Sequence, residues 1–421
     1  MPFDVAVGVS QQQLDLCSAQ LFTRIPDLFQ GSGTSDQFPG ITMTWAATAP
    51  PTFNLSPSKS TVEALHEQAA AMHSNNDLQL PQEVLQAAVA QSPAFDVIFP
   101  NLQITLKQPN NEQTVLNLNV TLSCLLSVSG NNLTLAASSA SFTPLKDPME
   151  QFFASKVVMP QLLTASNKAL AGLSIPPPDM PGIKLSPIAA TVAGGAIIAV
   201  TNLINKGPAS IPNGYPWPST NFFALLSQDA MQAVTTSALG QSKNYSGGGS
   251  VGTSAGGADY HYSININNPT ISLQGTNLIV DFGIDGNVGA KITVLWIPIG
   301  VNYDVLGGPA PQATCQLEPA GSNSVNIVAR SINAFTFLLK PSGSVLEWIL
   351  SAITWPITQA ITAVVTPIVS TSLHNINFSS YNLPAYKVNI SGTQLKFVPQ
   401  ISNVTSSGAN MMTIVGTLVV S

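Results

Sequence analysis

The chain repeats itself, and the repeat limits its possible folds more than any single motif does. Near the start, VGVSQQQLDLC places an apolar strand end, then Ser10, then a helical pattern at Leu14, Cys17, Leu21 and Ile25. The segment ALLSQDAMQAV restates this, with Ser227 followed by Met231, Val234 and Ala238, 217 positions further on. Both serines suit helix N-caps, where a hydroxyl accepts from a free backbone N–H of the first turn. Gln13 stands where it can complete a capping box with Ser10. The ends of the halves match as well. Met149–Leu173 is a long helical pattern enclosing Pro160, and Val345–Ile376 is a second, enclosing Pro356 and Pro367. Proline inside a helix removes a hydrogen bond and kinks the rod. After each comes a Pro-containing turn (SIPPPDMPGIKL, then YNLPAYKVNISGTQL) and a final pair of strands (IAATVAGGAIIAVTNL, then ISNVTSSGANMMTIVGTLVV).

Between the helices of each half the pattern is β. FDVIFPNLQITLKQ, QTVLNLNVTLSCLLSVS and NLTLAASSASFTPL alternate apolar and polar residues, as half-buried antiparallel strands do. YHYSININNPTISLQG, NLIVDFGIDGNV, KITVLWIPIGVNYDV and SVNIVARSINAFTF do so in the second half. Each half therefore reads short helix, run of strands, long helix, last strands, with the helices covering one sheet face. The expected layout is a first module at 1–205 with extra material at about 30–91, a proline-rich linker at 206–219, and a second module at 220–421. The extra material includes a charged short helix, SPSKSTVEALHEQAAAMHS, and Tyr245–Ala258 reads as a Gly/Ser-rich flexible loop.

Composition narrows the function. Only 8% of the 421 residues are charged, with 20 acidic and 14 scattered basic side chains and a net charge of −6. Phosphate binding needs a clustered cationic face, so no nucleic-acid partner is expected. Cys17, Cys124 and Cys315 lie far apart, show neither disulfide nor metal-ligand spacing, and read as small core residues. The N-terminus has no basic n-region and no sustained apolar core, so no secretory signal peptide is expected. The chain is expected either in the cytoplasm or exported by a non-classical route. Leu185–Asn205 and Trp348–Tyr386 lack Asp, Glu, Lys and Arg, yet neither reads as a membrane span. The first is broken by Pro187, Gly194 and Gly195 and holds a β pattern. The second steps its apolar residues by three or four against a Ser/Thr face, as an amphipathic helix does.

No catalytic constellation emerges. SGGGSVGTSAGG contains a formal G-x-G-x-x-G (Gly247, Gly249, Gly252) and G-x-S-x-G matches around Ser250 and Ser254. Those motifs need a strand before and a helix after, whereas here a helix precedes and a strand follows. Four histidines (His66, His73, His261, His374) leave little for metal or triad chemistry. Glu63, His66 and Glu67 are read as a solvated helix face rather than a ligand set. No enzyme, metal or cofactor is expected.

With these elements in this order, the chain resembles the tubular lipid-binding superfamily, which includes the bactericidal/permeability-increasing proteins. The resemblance is carried by the strand–Ser–helix openings at Val7–Ile25 and Leu225–Leu239, the long helices at Met149–Leu173 and Val345–Ile376, and the closing turns and strands at Ile175–Ala199 and Leu383–Val420. FDVAVGVS and ITMTWAATAPPTFNLSP are more similar to the accessory proteins of clostridial toxin gene clusters and their bacterial relatives. The resemblance implies an α+β fold of two tandem modules, each a long kinked helix wrapped by a highly curved antiparallel sheet. It implies acyl chains held between helix and sheet, for transport or a membrane-associated role, with transient contact to a membrane surface. The competing expectation is a non-enzymatic structural or toxin-accessory protein that keeps the fold with closed cavities. Candidate lipid-lining residues are Leu14, Leu21, Phe152, Phe153, Val157 and Leu163 in the first module. In the second they are Met231, Val234, Ile353, Ile357, Ile361, Val364 and Ile368.

Overall fold

The computed structural model describes residues 2–34, 40–56, 94–108, 112–129, 132–170, 174–175, 183–239, 242–253, 256–274, 277–294, 297–307, 311–333, 337–342, 355–374, 378–383, 385–390, 393–407 and 410–421. The expected short helix with Glu63, His66, Glu67 and His73 lies outside them, as does Ile353. Strands dominate, gathered into two curled antiparallel sheets, one per half, and a central sheet shared by both.

The central sheet runs in the order Tyr386–Ile390, Thr393–Ser407, Met411–Val420, Phe222–Ser227, Val5–Ser10, Ala196–Thr201, Ala189–Ala193. At its middle the opening strands of the two halves pair antiparallel, Val5 with Leu226 and Val9 with Phe222. Each is flanked by the closing strands of its own half. Ala189–Ala193 and Ala196–Thr201 turn through Gly194 (φ +59°) and Gly195 (φ +71°). Two consecutive left-handed residues are what a tight hairpin turn of the I′ type requires, so the glycines belong there.

The first-half sheet runs Gln30–Thr34, Thr42–Ala47, Ala94–Lys107, Gln113–Ser129, Asn132–Phe142, Ser174–Ile175, and the short strand Thr52–Asn54 also pairs with Ala94–Lys107. A bulge lies between Phe99 and Leu102, where Pro100 cannot donate and Asn101 takes φ +59°. The bulge resets the alternation. Phe95 lies in the core before it and Leu102, Ile104 and Leu106 after it, although the parity of the sequence changes between them. The second-half sheet runs Ser242–Thr253, Gly256–Gln274, Asn277–Val294, Gln312–Ala320, Ser324–Ile332, Phe378–Asn382. Ile297–Gly307 branches from it and carries Phe337–Pro341.

The first two strands of that sheet correct the reading of Tyr245–Ala258 as a flexible loop. Its glycines make room for rings: a Cβ on Gly247 would stand 2.7 Å from the Tyr262 hydroxyl oxygen, and one on Gly249 2.9 Å from that of Tyr260. Each glycine sits directly opposite its tyrosine in the ladder. Glycine in a strand that faces a cross-strand aromatic is a packing device, which a composition count cannot distinguish from a linker.

Among the described residues, four longer helices pack with the sheets. Helix α1 (Gln11–Arg24) and helix α3 (Gln228–Leu239) follow the opening strands. Ser10 Oγ accepts from Gln13 N–H at 3.2 Å, and Ser227 Oγ from Ala230 N–H at 3.1 Å, so both caps form. The capping box does not form, because the Gln13 side chain is buried and donates to the Leu418 carbonyl at 2.8 Å instead. Helix α2 (Pro148–Leu170) is α at both ends with a π-turn at Ala154–Val158, just ahead of Pro160. The wider turn accommodates a residue that cannot donate. Helix α4 (Trp355–His374) holds Pro367 in its interior and packs on Ser242–Thr253 and Ser324–Ile332. Among the described residues no helix is long and apolar enough to cross a membrane.

The halves are tied by a buried carboxylate. Asp4, 1% exposed, accepts from Lys206 Nζ at 2.8 Å, Ser227 Oγ at 2.7 Å and Leu203 N–H at 3.0 Å, and Lys206 also pairs with Asp229. Burial raises the Asp4 pKa, but these donors and the Lys206 charge outweigh it and hold the carboxyl below its ordinary range. The connector also packs: Tyr215 meets Phe3 edge-on and Trp217 stacks on it, with centroids 5.3 and 5.5 Å away.

Candidate functional site

An apolar cavity of about 370 Å³ lies under α1, between the central sheet and the first-half sheet. The opening strand supplies Val5, Val7 and Val9, one face of a β alternation. Helix α1 supplies Leu14, Cys17, Ser18 and Leu21, three and four apart on one helical face. Phe95, Val97 and Phe99 come from the first-half sheet, and Tyr386, Val388, Phe397 and Leu418 from the second half. A second cavity of about 340 Å³ adjoins it, sharing Leu21, Phe29, Phe53, Phe95, Val97, Phe99 and Leu135. It continues to Leu162, Ala165 and Ser166 of α2 and to the exposed Gln30. The two adjoin as one largely apolar space of the size class that takes a small ligand.

Pro51 and Phe53 close one side, on a strap held differently from the other walls. One edge of the strap pairs with Ala94–Lys107 through Thr52–Asn54. The other is held by helix side chains: Leu55 N–H donates to Gln11 Oε1 (3.0 Å), Phe53 N–H to Asp15 Oδ1 (2.7 Å), and Ser18 Oγ donates to the Pro51 carbonyl (2.7 Å). Gln11, Asp15 and Ser18 share one face of α1 and stand in for a neighbouring strand. Gln13 and Gln20 of the same helix bond Leu418 and Val420 of the last strand, and Arg24 donates to the Val420 carbonyl. Helix α1 thus holds the strap with one set of side chains and the second half with another.

The cavity is electrically quiet. None of its described lining residues is Asp, Glu, Lys, Arg or His. Burial raises the Cys17 pKa against a hydrogen bond from Gln13, and pushes the Cys124 thiol up to about 12 with the Asp96 charge adding to it. The Tyr386 phenol is raised by burial too, so all three stay neutral at ordinary pH. Asp96 itself accepts from Ser123 Oγ at 2.8 Å and alternates with the cavity-lining Phe95 and Val97, which puts it on the opposite face of its strand. Among the described residues no group of three or more His, Cys, Asp or Glu is placed to hold a metal. Ser250 lies within a strand, paired with Asp259.

Of the residues expected in the first pocket, Leu14 and Leu21 line the cavity. Val157 and Leu163 are buried, Leu163 in the packed core beside Leu162. Phe152 is 46% exposed and meets Phe153 edge-on at 6.0 Å. The π-turn lies within this stretch and breaks the 3.6-residue count on which such face assignments rest. In the second half, Met231 and Ile361 lie inside a large core cluster and Val234 packs against it, whereas Val364 and Ile368 are 40% and 42% exposed. Ile357 lies in α4. The sequence pattern did not point to Phe95, Val97, Phe99 or the four second-half wall residues. The alternation of FDVIFP carried the signal for the first three, but nothing local marks which distant strands close a cavity.

No protein-family model matches the chain, and no curated protein matches it. Solved structures aligned to it include P47 of Clostridium botulinum E1, at 10% identity and a TM-score of 0.46, covering 99% of each chain. P47 of Clostridium botulinum A2 aligns at 12% identity and 0.44, covering 99% of this chain and 97% of that one. A lipopolysaccharide binding protein aligns at 8% identity and 0.29, covering 99% of each chain.

Proposed function

We propose that the chain is a non-enzymatic lipid-binding protein that takes an acyl chain into the first-half cavity, for transport or for a role at a membrane surface. The observation that supports this is the wall: Val, Leu, Ile, Phe and Ala side chains line two adjoining spaces that lack charge. Such a space has no convergent groups for chemistry, but each methylene moved into it from water contributes about 0.8 kcal/mol. A chain of ordinary length is therefore retained without ion pairs. The tandem strand–Ser–helix order, which resembles tubular lipid-binding proteins, agrees with the reading. The competing reading is a non-enzymatic structural or accessory protein that keeps the fold without lipid transfer, and one experiment separates the two. Solvent extraction of the purified protein, followed by uptake of a fluorescent phospholipid or fatty alcohol, tests the proposal. Co-purifying lipid or saturable uptake is expected; a protein free of lipid that takes up no probe rules it out.

A further inference from the structure

We infer that the ligand of the first-half cavity is a lipid whose polar end carries no formal charge, such as a fatty alcohol, a glyceride or a glycosyl lipid. This rests on the proposed lipid-binding function and adds the ligand class to it. The wall is the first ground. Among the described residues its lining holds no cation for an anionic group, and two of its buried hydroxyls are occupied. Ser18 Oγ donates to the Pro51 carbonyl and Thr201 Oγ1 to the Ser186 carbonyl, each at 2.7 Å. A charge drawn into such a space loses its water and finds no partner.

The rim is the second ground. The cavity that reaches the exposed Gln30 also carries Ser166 and the Trp45 indole among its polar side chains. An amide and a hydroxyl donate to and accept from alcohols, esters and sugar hydroxyls, but they supply no counter-charge to a carboxylate or phosphate. The charge hydrogen-bonded to this rim has the wrong sign for an anionic lipid, since Gln30 Nε2 donates to Asp27 Oδ1 at 2.5 Å. Asp27 is itself exposed, so solvent and salt screen it and leave it a weak lure for a cation.

The test titrates the full chain with pyrene-labelled hexadecanol, the matching monoacylglycerol and the matching fatty acid at neutral pH. The fatty acid is then repeated below the ordinary carboxylate range. The alcohol and the glyceride are expected to bind at least roughly tenfold more tightly than the ionised acid, and the acid is expected to recover most of that difference once protonated. Equal binding of ionised acid and alcohol overturns this inference and leaves the lipid-binding function standing, whereas binding of none of the probes removes both. The variant Ser166→Lys, checked for native circular dichroism, places a cation at the rim. It is expected to raise the acid-to-alcohol affinity ratio roughly fivefold, and a ratio that stays put shows that the rim does not read charge.

Discussion

In the first half, Leu14 and Leu21 of α1 face Phe95, Val97 and Leu135 across open space. In the second, the equivalent helix α3 sets Met231 into a cluster with Tyr260, Tyr262, Phe282, Tyr303, Ile361 and Val365. The repeat supplies the same strand–cap–helix opening to both, and both caps form in the same way. Gly247 and Gly249 let the Tyr262 and Tyr260 rings lie across the neighbouring strand, where the two rings stack with centroids 6.5 Å apart. The same opening thus borders an apolar cavity in the first half and packs among buried rings in the second.

The largest expected effect separates a wall from a core. Ala199→Trp places an indole into the cavity and should reduce lipid uptake more than roughly tenfold, with little change in melting temperature because the space is there to accept it. Ile361→Trp, at a residue 1% exposed, should instead destabilise by about 1–3 kcal/mol through overpacking. Uptake and thermal denaturation of the two variants check this, and the contrast collapses if they behave alike.

Next comes the junction that makes the two halves one unit. Asp4→Ala leaves the Ser227 hydroxyl and the Leu203 N–H without their buried acceptor and should destabilise by about 2–3 kcal/mol. Because the folded Asp4 pKa is lowered, its contribution is fully present above the ordinary value of 3.8 and is lost as pH falls below it. Denaturant titrations of the parent and the variant across that range should converge toward low pH, and a constant gap would remove Asp4 as the cause.

Two smaller effects sharpen the comparison. Gly247→Val pushes a side chain into the Tyr262 ring and should destabilise the second half by about 1–3 kcal/mol, where a flexible loop would tolerate the change. Asp15→Ala removes the acceptor of the Phe53 N–H and should weaken the strap by about 1 kcal/mol. Hydrogen exchange reads this as faster exchange at Phe53 with the central sheet unchanged; spread of the effect into that sheet would show that the strap is not a separate unit.

Much of this was legible from residue order. Ser10 and Ser227 announce their caps, the alternation of FDVIFPNLQITLK and its neighbours announces strands, and the spacing of Leu14 and Leu21 puts them on one helical face. Three things were not. The π-turn at Ala154–Val158 breaks a count that assumes a uniform helix. The glycines at 247 and 249 read as looseness until the tyrosines opposite them in the ladder are known. Tyr386, Val388, Phe397 and Leu418 reach the cavity from the other half, and no local pattern encodes a meeting across such a sequence distance.

The central claim, that the first half is the container, is tested most directly by photocrosslinking. An acyl lipid carrying a diazirine on its chain is bound, irradiated, and its attachment sites are mapped by peptide mass spectrometry. The account predicts adducts on Leu14–Leu21, on Phe95–Phe99 and on the Tyr386–Val388 wall, all lost in Ala199→Trp. Adducts confined to α4 and the second-half sheet, or undiminished in that variant, would contradict it.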